Sequence, residues 1–211
     1  MIRSEVAAPT PGWANTVFGE PDVERLWSAV ASATRLDQED PVAAWADHVA
    51  RLEARAFALN ERRFDAIRYR GPGTDLTVGL LPASRWLSAR FTTRDGIAHL
   101  PNIPTEEVFT APHKDMVDGI VCSSKPLSYQ GSLIDGIKVR FERGRIVEMT
   151  AEKGQDAFRN LIDTDEGAAR LGEVALARIH GLERETLAGG RDEDPVRPLG
   201  VVELEGRLGF L

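Results

Sequence analysis

The most regular pattern in the chain is one apolar stripe, in which Val42, Trp45, Val49, Leu52, Ala56 and Leu59 recur at spacings of three and four on an otherwise charged segment. This predicts an amphipathic helix, with Asp40 placed to cap its free amides and Pro41 suited to the first helical position. A shorter pattern of the same kind, Val23, Leu26, Trp27 and Val30 behind Pro21-Asp22, predicts a helix ending near Leu36. Residues 8–13 hold Pro9, Pro11 and Gly12 and read as an irregular lead-in, because proline fixes φ and removes an amide donor.

After Arg63 the period falls to two. Ile67-Arg68-Tyr69 and Leu76-Thr77-Val78 predict short strands around the turn Gly71-Pro72-Gly73-Thr74-Asp75. Ile137, Val139 and Phe141 alternate with Lys138, Arg140 and Glu142, and Arg143-Gly144 turns the chain into Ile146-Val147-Glu148-Met149, which predicts a hairpin with one wet face. Helical texture is read again over 152–161 and over 165–176, the latter holding Leu171, Val174 and Leu176. From Ala177 to Arg197, Arg, Glu, Gly, Asp and Pro accumulate without a sustained period, and a poorly ordered tail is expected over 177–211. Helices, then strands, then helices favour an α+β fold over regular βαβ alternation: a helical N-terminal segment over 1–64, then a mixed, hairpin-containing β region with flanking helices over 65–176.

Composition narrows the classes of function. With 42% hydrophobic residues in 211, the chain can bury a core. No run approaches the eighteen or so apolar residues of a membrane helix, and Met1-Ile2-Arg3-Ser4-Glu5 is too acidic and polar for a signal peptide, so the cytoplasm is expected. A net charge of -7 and a pI near 5.2 argue against DNA or RNA as partners, whose binding rests on Lys and Arg neutralising phosphates. The lone Cys122 forms no internal disulfide and fits a reducing compartment. Without a Cys-x-x-Cys or His-x-x-x-His spacing, any metal must rest on carboxylates.

Two places hold candidate carboxylates. Glu106 and Glu107 sit side by side in the proline-bracketed, otherwise apolar segment 101–114, where rigidity would serve a ligand. The plainer alternative is that Thr105 caps a short turn and both glutamates face solvent. Glu173, in Leu171-Gly172-Glu173-Val174-Ala175-Leu176, has small and apolar neighbours that predict burial, and a buried carboxylate needs a partner or a metal. Its plainer alternative is a helix-edge glutamate with its head in water. Among the histidines, His48 is read on the charged face of the long helix and His99 in a short apolar run that fits a strand. His113 is read in an Ala-Pro-His-Lys turn and His180 in the tail, and each of the four is taken as a surface or turn residue.

Taken in order, Gly71-Pro72-Gly73-Thr74-Asp75-Leu76, Pro104-Thr105-Glu106-Glu107-Val108-Phe109, Ser124-Lys125-Pro126-Leu127, Ala151-Glu152-Lys153-Gly154 and Leu171-Gly172-Glu173-Val174-Ala175-Leu176 resemble the aminopeptidase T (thermophilic-type) family of dinuclear metalloaminopeptidases over roughly residues 10–176. The resemblance implies a cytoplasmic exopeptidase that removes N-terminal residues from peptides, uses two divalent metal ions and acts as a homodimer. It makes Glu107 and Glu173 metal ligands and Glu106 the neighbouring carboxylate that takes a proton from metal-bound water, although spacing leaves the roles of Glu106 and Glu107 interchangeable. Carboxylate ligands are compatible with zinc, cobalt, manganese or magnesium. The family's later Asp-Glu-Asn block, its His and His-x-Asp ligands, and the α/β structure before the region matching Ala8 have no counterpart here. The chain is therefore read as a fragment, with 1–64 the remainder of an N-terminal domain and 65–176 a partial catalytic domain. The tail is read as an out-of-frame or prematurely terminated extension. A non-catalytic remnant serving as a dimer or interaction module is the rival from a different class. A metal-free acid/base set built from the three glutamates ranks behind both, since adjacent residues seldom face each other across a substrate.

Overall fold

The computed structural model of the protein describes residues 8–177, 185–188 and 201–205. These form the helices α1 (Pro11–Phe18), α2 (Val23–Ala33), α3 (Pro41–Arg62) and α4 (Gln155–Ile162). The strands are β1 (Ala66–Gly71), β2 (Thr74–Leu80), β3 (Phe91–Thr92), β4 (Ala98–His99), β5 (Glu107–Thr110), β6 (Pro112–Cys122), β7 (Leu127–Tyr129), β8 (Ser132–Ile134), β9 (Lys138–Glu142), β10 (Arg145–Thr150), β11 (Val174–Ala177), β12 (Glu185–Ala188) and β13 (Val201–Glu205). The mixture is the expected α+β fold. One sheet runs β10-β9-β6-β2-β1-β13-β12, and β5 with β11, β3 with β4, and β7 with β8 make three two-stranded sheets. Among the described residues no helix is long and apolar enough to cross a membrane.

The chain divides into two compact units, Met1–Phe57 with Leu87–Val108, and Ala58–Trp86 with Phe109–Leu211. This differs from the expected segments 1–64, 65–176 and 177–211. The division falls inside α3, and the segment 87–108 belongs with the first helices, a grouping that rests on contacts between distant residues that no local pattern reports.

In the first unit α1 replaces the expected irregular lead-in. Thr10 Oγ1 accepts the Trp13 amide at 3.2 Å, Pro11 occupies a position where its missing N–H is no loss, and Gly19 closes the helix at φ 77°. α2 is capped by Asp22, whose Oδ1 accepts the Arg25 amide at 2.9 Å, and it stops at Ala33, ahead of the predicted end at Leu36. α3 starts where predicted, with Asp40 Oδ1 accepting the Ala43 amide at 3.0 Å. Within this unit Trp45, Val49, Leu52 and Ala56 of the predicted stripe are buried, while Val42 in the first turn is exposed.

The second unit is built on the seven-stranded sheet. β1 and β2 are the two predicted strands and pair antiparallel, with Ile67 opposite Val78 and both fully buried. The β9–β10 hairpin also stands where predicted: Arg143 and Gly144 both have positive φ, 47° and 78°, as a two-residue hairpin loop demands. Val139 and Phe141 face the core and their neighbours face water. α4 takes the place of the helix expected over 152–161 and lies against β8. The helix expected over 165–176 is absent. Asp165 Oδ1 instead accepts the Gly167 and Ala168 amides at 2.7 and 2.9 Å in a tight turn, and Val174 and Leu176, both buried, alternate along β11 with the period of a strand. The expected poorly ordered tail contains two strands: β13 runs parallel to β1 and β12 antiparallel to β13. The other residues beyond 177 lie outside those described.

Charge pairs on the wet strand faces give one pH prediction. Arg68 donates from Nε and an Nη to the two oxygens of Asp75, each at 2.9 Å, and Arg140 binds Glu148 at 2.7 Å and also Glu142. The hydrogen bond from Arg68, followed by its charge and that of Arg70, holds the Asp75 carboxyl below its usual range, and Arg140 does the same to Glu148. A carboxyl depressed in the folded state stabilises it at pH values above the unfolded range, near about 4, and that contribution disappears as pH falls through the folded values. The urea midpoint is therefore expected to fall from pH 5 toward pH 2, less steeply in Asp75→Asn. An identical acid slope in that variant would remove Asp75 from the account.

Candidate functional site

Glu106 lies in the first unit, just ahead of β5, and three segments of that unit converge on it. The Arg35 Nη2 group donates to Glu106 Oε1 at 2.7 Å, and His48 Nε2 stands 3.4 Å from Glu106 Oε2. The same Nε2 is 2.8 Å from the carbonyl oxygen of Thr105, and His48 Nδ1 is 3.2 Å from Arg35 Nη2. His48 is 6% exposed, which corrects its reading as a surface histidine. The signal was in the sequence: His48 follows Trp45 by three positions and precedes Leu52 by four, which puts it on the apolar face of α3.

Trp45 completes the arrangement. Its indole N–H donates to the Thr34 carbonyl at 2.7 Å, the Arg35 guanidinium lies 4.8 Å from the ring centre, and the His48 ring meets it edge-on at 5.4 Å. The cation over an aromatic face and the T-shaped ring pair are both favourable geometries. Arg35 itself follows α2 with φ 59°, its amide bonded to the Ser32 carbonyl at 3.2 Å and the next amide, Leu36, to Ala31 at 2.8 Å. Arg35 gave no local sequence signal, because its role depends on a chain reversal and on a loop far along the sequence.

The other predicted residues stand differently. Glu107 opens β5, half-buried, with the fully buried Val108 after it. Glu173 belongs to the second unit, immediately before β11, and is exposed, so the predicted burial is corrected: the alternation of β11 buries Val174 and Leu176 and leaves the preceding carboxylate in water. His113 lies in β6, not in a turn, and its Nδ1 accepts the Asp115 amide at 3.2 Å. His99 lies in β4, and His180 falls outside the described residues. Among the described residues no three His, Cys, Asp or Glu side chains come together as a metal site.

Comparison with known proteins places this chain in a family. The family model for thermophilic metalloproteases (M29) matches residues 4–186, beyond the span of the quoted motifs at both ends. Aminopeptidase T of Thermus aquaticus is 54% identical over 170 residues, 79% of this chain and 42% of that protein. Aminopeptidase 2 of Geobacillus stearothermophilus is 45% identical over 177 residues, 82% of this chain and 43% of that protein. A solved structure, wild-type AmpT from Thermus thermophilus, superposes with a TM-score of 0.77 at 48% identity, covering 82% of this chain and 43% of that one. The chain thus spans under half the length of these relatives, and its match to the family model runs over most of its own length: it belongs to the thermophilic metalloprotease (M29) family.

Proposed function

We propose that the protein acts as a metal-dependent aminopeptidase, removing N-terminal residues from peptides. The observation that carries this reading is the acidic pair of the first unit, where Glu106 is held by Arg35 and His48 next to the half-buried Glu107, in a chain of the M29 family. Glu107 and Glu173 are the proposed metal ligands, and Glu106 the carboxylate that accepts a proton. Carboxylate donors suit two divalent ions such as zinc, cobalt, manganese or magnesium. A bound divalent ion would lower the pKa of a water and polarise the peptide carbonyl. Among the described residues no three His, Cys, Asp or Glu side chains come together as such a site. Glu106, with its side chain 44% exposed, keeps lone pairs on the solvent side, where a proton can be received. A cytoplasmic homodimer is the proposed setting.

The test is release of leucine from leucyl-p-nitroanilide by the full chain with each of the four cations, against a chelator control. Activity that disappears with chelator and in Glu107→Gln is expected. No release with any cation would overturn the reading and favour the rival, a non-catalytic interaction module.

A further inference from the structure

We propose that Arg35 and His48 are positioning residues for Glu106, with Arg35 and the Thr105 carbonyl together holding His48 in one tautomer and Arg35 locking the carboxylate in one orientation. The proton-accepting role of Glu106 rests on the function proposed above; the lock itself is argued from the first unit alone.

A guanidinium has N–H groups and no acceptor, so the 3.2 Å contact between Arg35 Nη2 and His48 Nδ1 requires a lone pair on Nδ1. The ring proton then sits on Nε2. From there it is donated to the Thr105 carbonyl at 2.8 Å, and Glu106 Oε2 lies 3.4 Å from the same nitrogen. Arg35 Nη2 carries two hydrogens, and its second one reaches Glu106 Oε1 at 2.7 Å. One nitrogen of Arg35 therefore orients the histidine and one edge of the carboxylate together. His48 binds the backbone of the residue before Glu106 and stands 3.4 Å from the other edge of the carboxylate.

The bonds from Leu36 to Ala31 and from Arg35 to Ser32 make a Schellman ending to α2, and Arg35 fills its left-handed position at φ 59°. Glycine is the usual occupant, because a Cβ there is unfavourable. Helix termination alone gives no reason for an arginine. What the arginine adds is its reach: from this position its guanidinium lies over the Trp45 ring and contacts both His48 and Glu106. A residue kept in a disfavoured conformation beside a candidate site points to a demand made by the site.

Arg35→Gly separates the two roles, since it suits the helix ending and removes the lock. It is expected to unfold no earlier than the wild type. Its kcat for leucyl-p-nitroanilide is expected to fall roughly 10–100-fold with KM unchanged, the scale of a misplaced reacting group. Arg35→Lys, which keeps the charge but not the fork, should recover part of the loss. Imidazole 15N spectra should show His48 protonated on Nε2 alone in the wild type, with the Nδ1 resonance shifted in Arg35→Gly by loss of its hydrogen-bond donor. A proton on Nδ1 in the wild type, or an Arg35→Gly variant that loses stability and keeps its kcat, would overturn the proposal. If the wild-type chain releases no arylamine, the aminopeptidase reading falls alone, and the tautomer and the unfolding midpoint still decide this one.

Discussion

Replacing Gly119 by alanine is expected to destabilise the second unit by about 2–6 kcal/mol, the sum of a backbone strain of about 1–3 and an overpacking term of about the same size. Gly119 lies inside β6, opposite Leu76 of β2 on one side and Phe141 of β9 on the other. Its φ is 123°, a region that L-residues rarely enter. An added Cβ would stand 2.1 Å from the Asp75 carbonyl oxygen and 3.0 Å from the Leu76 Cα, both backbone atoms of the neighbouring strand. Neither can swing aside as the end of a flexible side chain would. The strain and the clash act at the centre of the sheet, so relief would require separating β2 from β6. Against a typical total stability of about 5–15 kcal/mol, the change is large enough to unfold a marginal chain. Gly12 is the control: it sits in α1 with nothing within 4 Å of an added Cβ, and alanine there should stabilise by about 0.5–1 kcal/mol. Urea unfolding followed by far-UV circular dichroism reads both variants. A Gly119→Ala midpoint equal to that of Gly12→Ala would refute the account.

The same glycine explains part of what the sequence concealed. β6 runs for 11 residues, yet beyond Pro112 at its start only Val117 and Val121 are buried, and the rest present polar or half-exposed positions interrupted by Gly119. Two buried positions four apart in a polar stretch do not announce a strand. α3 was legible because its stripe is long and its cap and proline agree with it, and the β9–β10 hairpin because alternation and the Arg143-Gly144 turn point the same way. Over 165–176 the apolar residues suggest a helix, but Val174 and Leu176 are two apart, the spacing of β11.

The candidate site was legible in one respect and hidden in another. Glu106 and Glu107 stand out as adjacent carboxylates in an apolar, proline-bracketed segment, and that much needs no structure. Their surroundings do. His48 was recoverable from the stripe of α3, whereas Arg35 becomes visible only when the end of α2 is seen to turn left-handed toward a residue 71 positions further along. Long-range polar contacts of this kind leave no periodicity behind, because the partners are set by tertiary packing.

Trp45→Ala is the second large effect, and it is expected to act on stability and on the site at once. The indole is 8% exposed and lies in the apolar stripe of α3, so its removal forfeits the transfer free energy of the ring and leaves a cavity, together about 3–5 kcal/mol. It also removes the donor that satisfies the Thr34 carbonyl at 2.7 Å, the residue immediately before Arg35. Trp45→Phe retains most of the ring and loses that part-buried hydrogen bond, so it should cost about 0.5–1.5 kcal/mol, the net contribution of one hydrogen bond. Packing therefore dominates the alanine variant and the hydrogen bond the phenylalanine variant. Each should also loosen Arg35, whose guanidinium rests on the ring and whose backbone follows Thr34, and so lower kcat alongside stability. That joint loss is the opposite of the pattern expected for Arg35→Gly, where activity falls and the fold does not. Denaturation midpoints and kcat measured on the three variants place them on different lines: if Trp45→Ala lost less than about 1 kcal/mol, below the range for any buried large side chain, the packing of the first unit around this ring would be wrong.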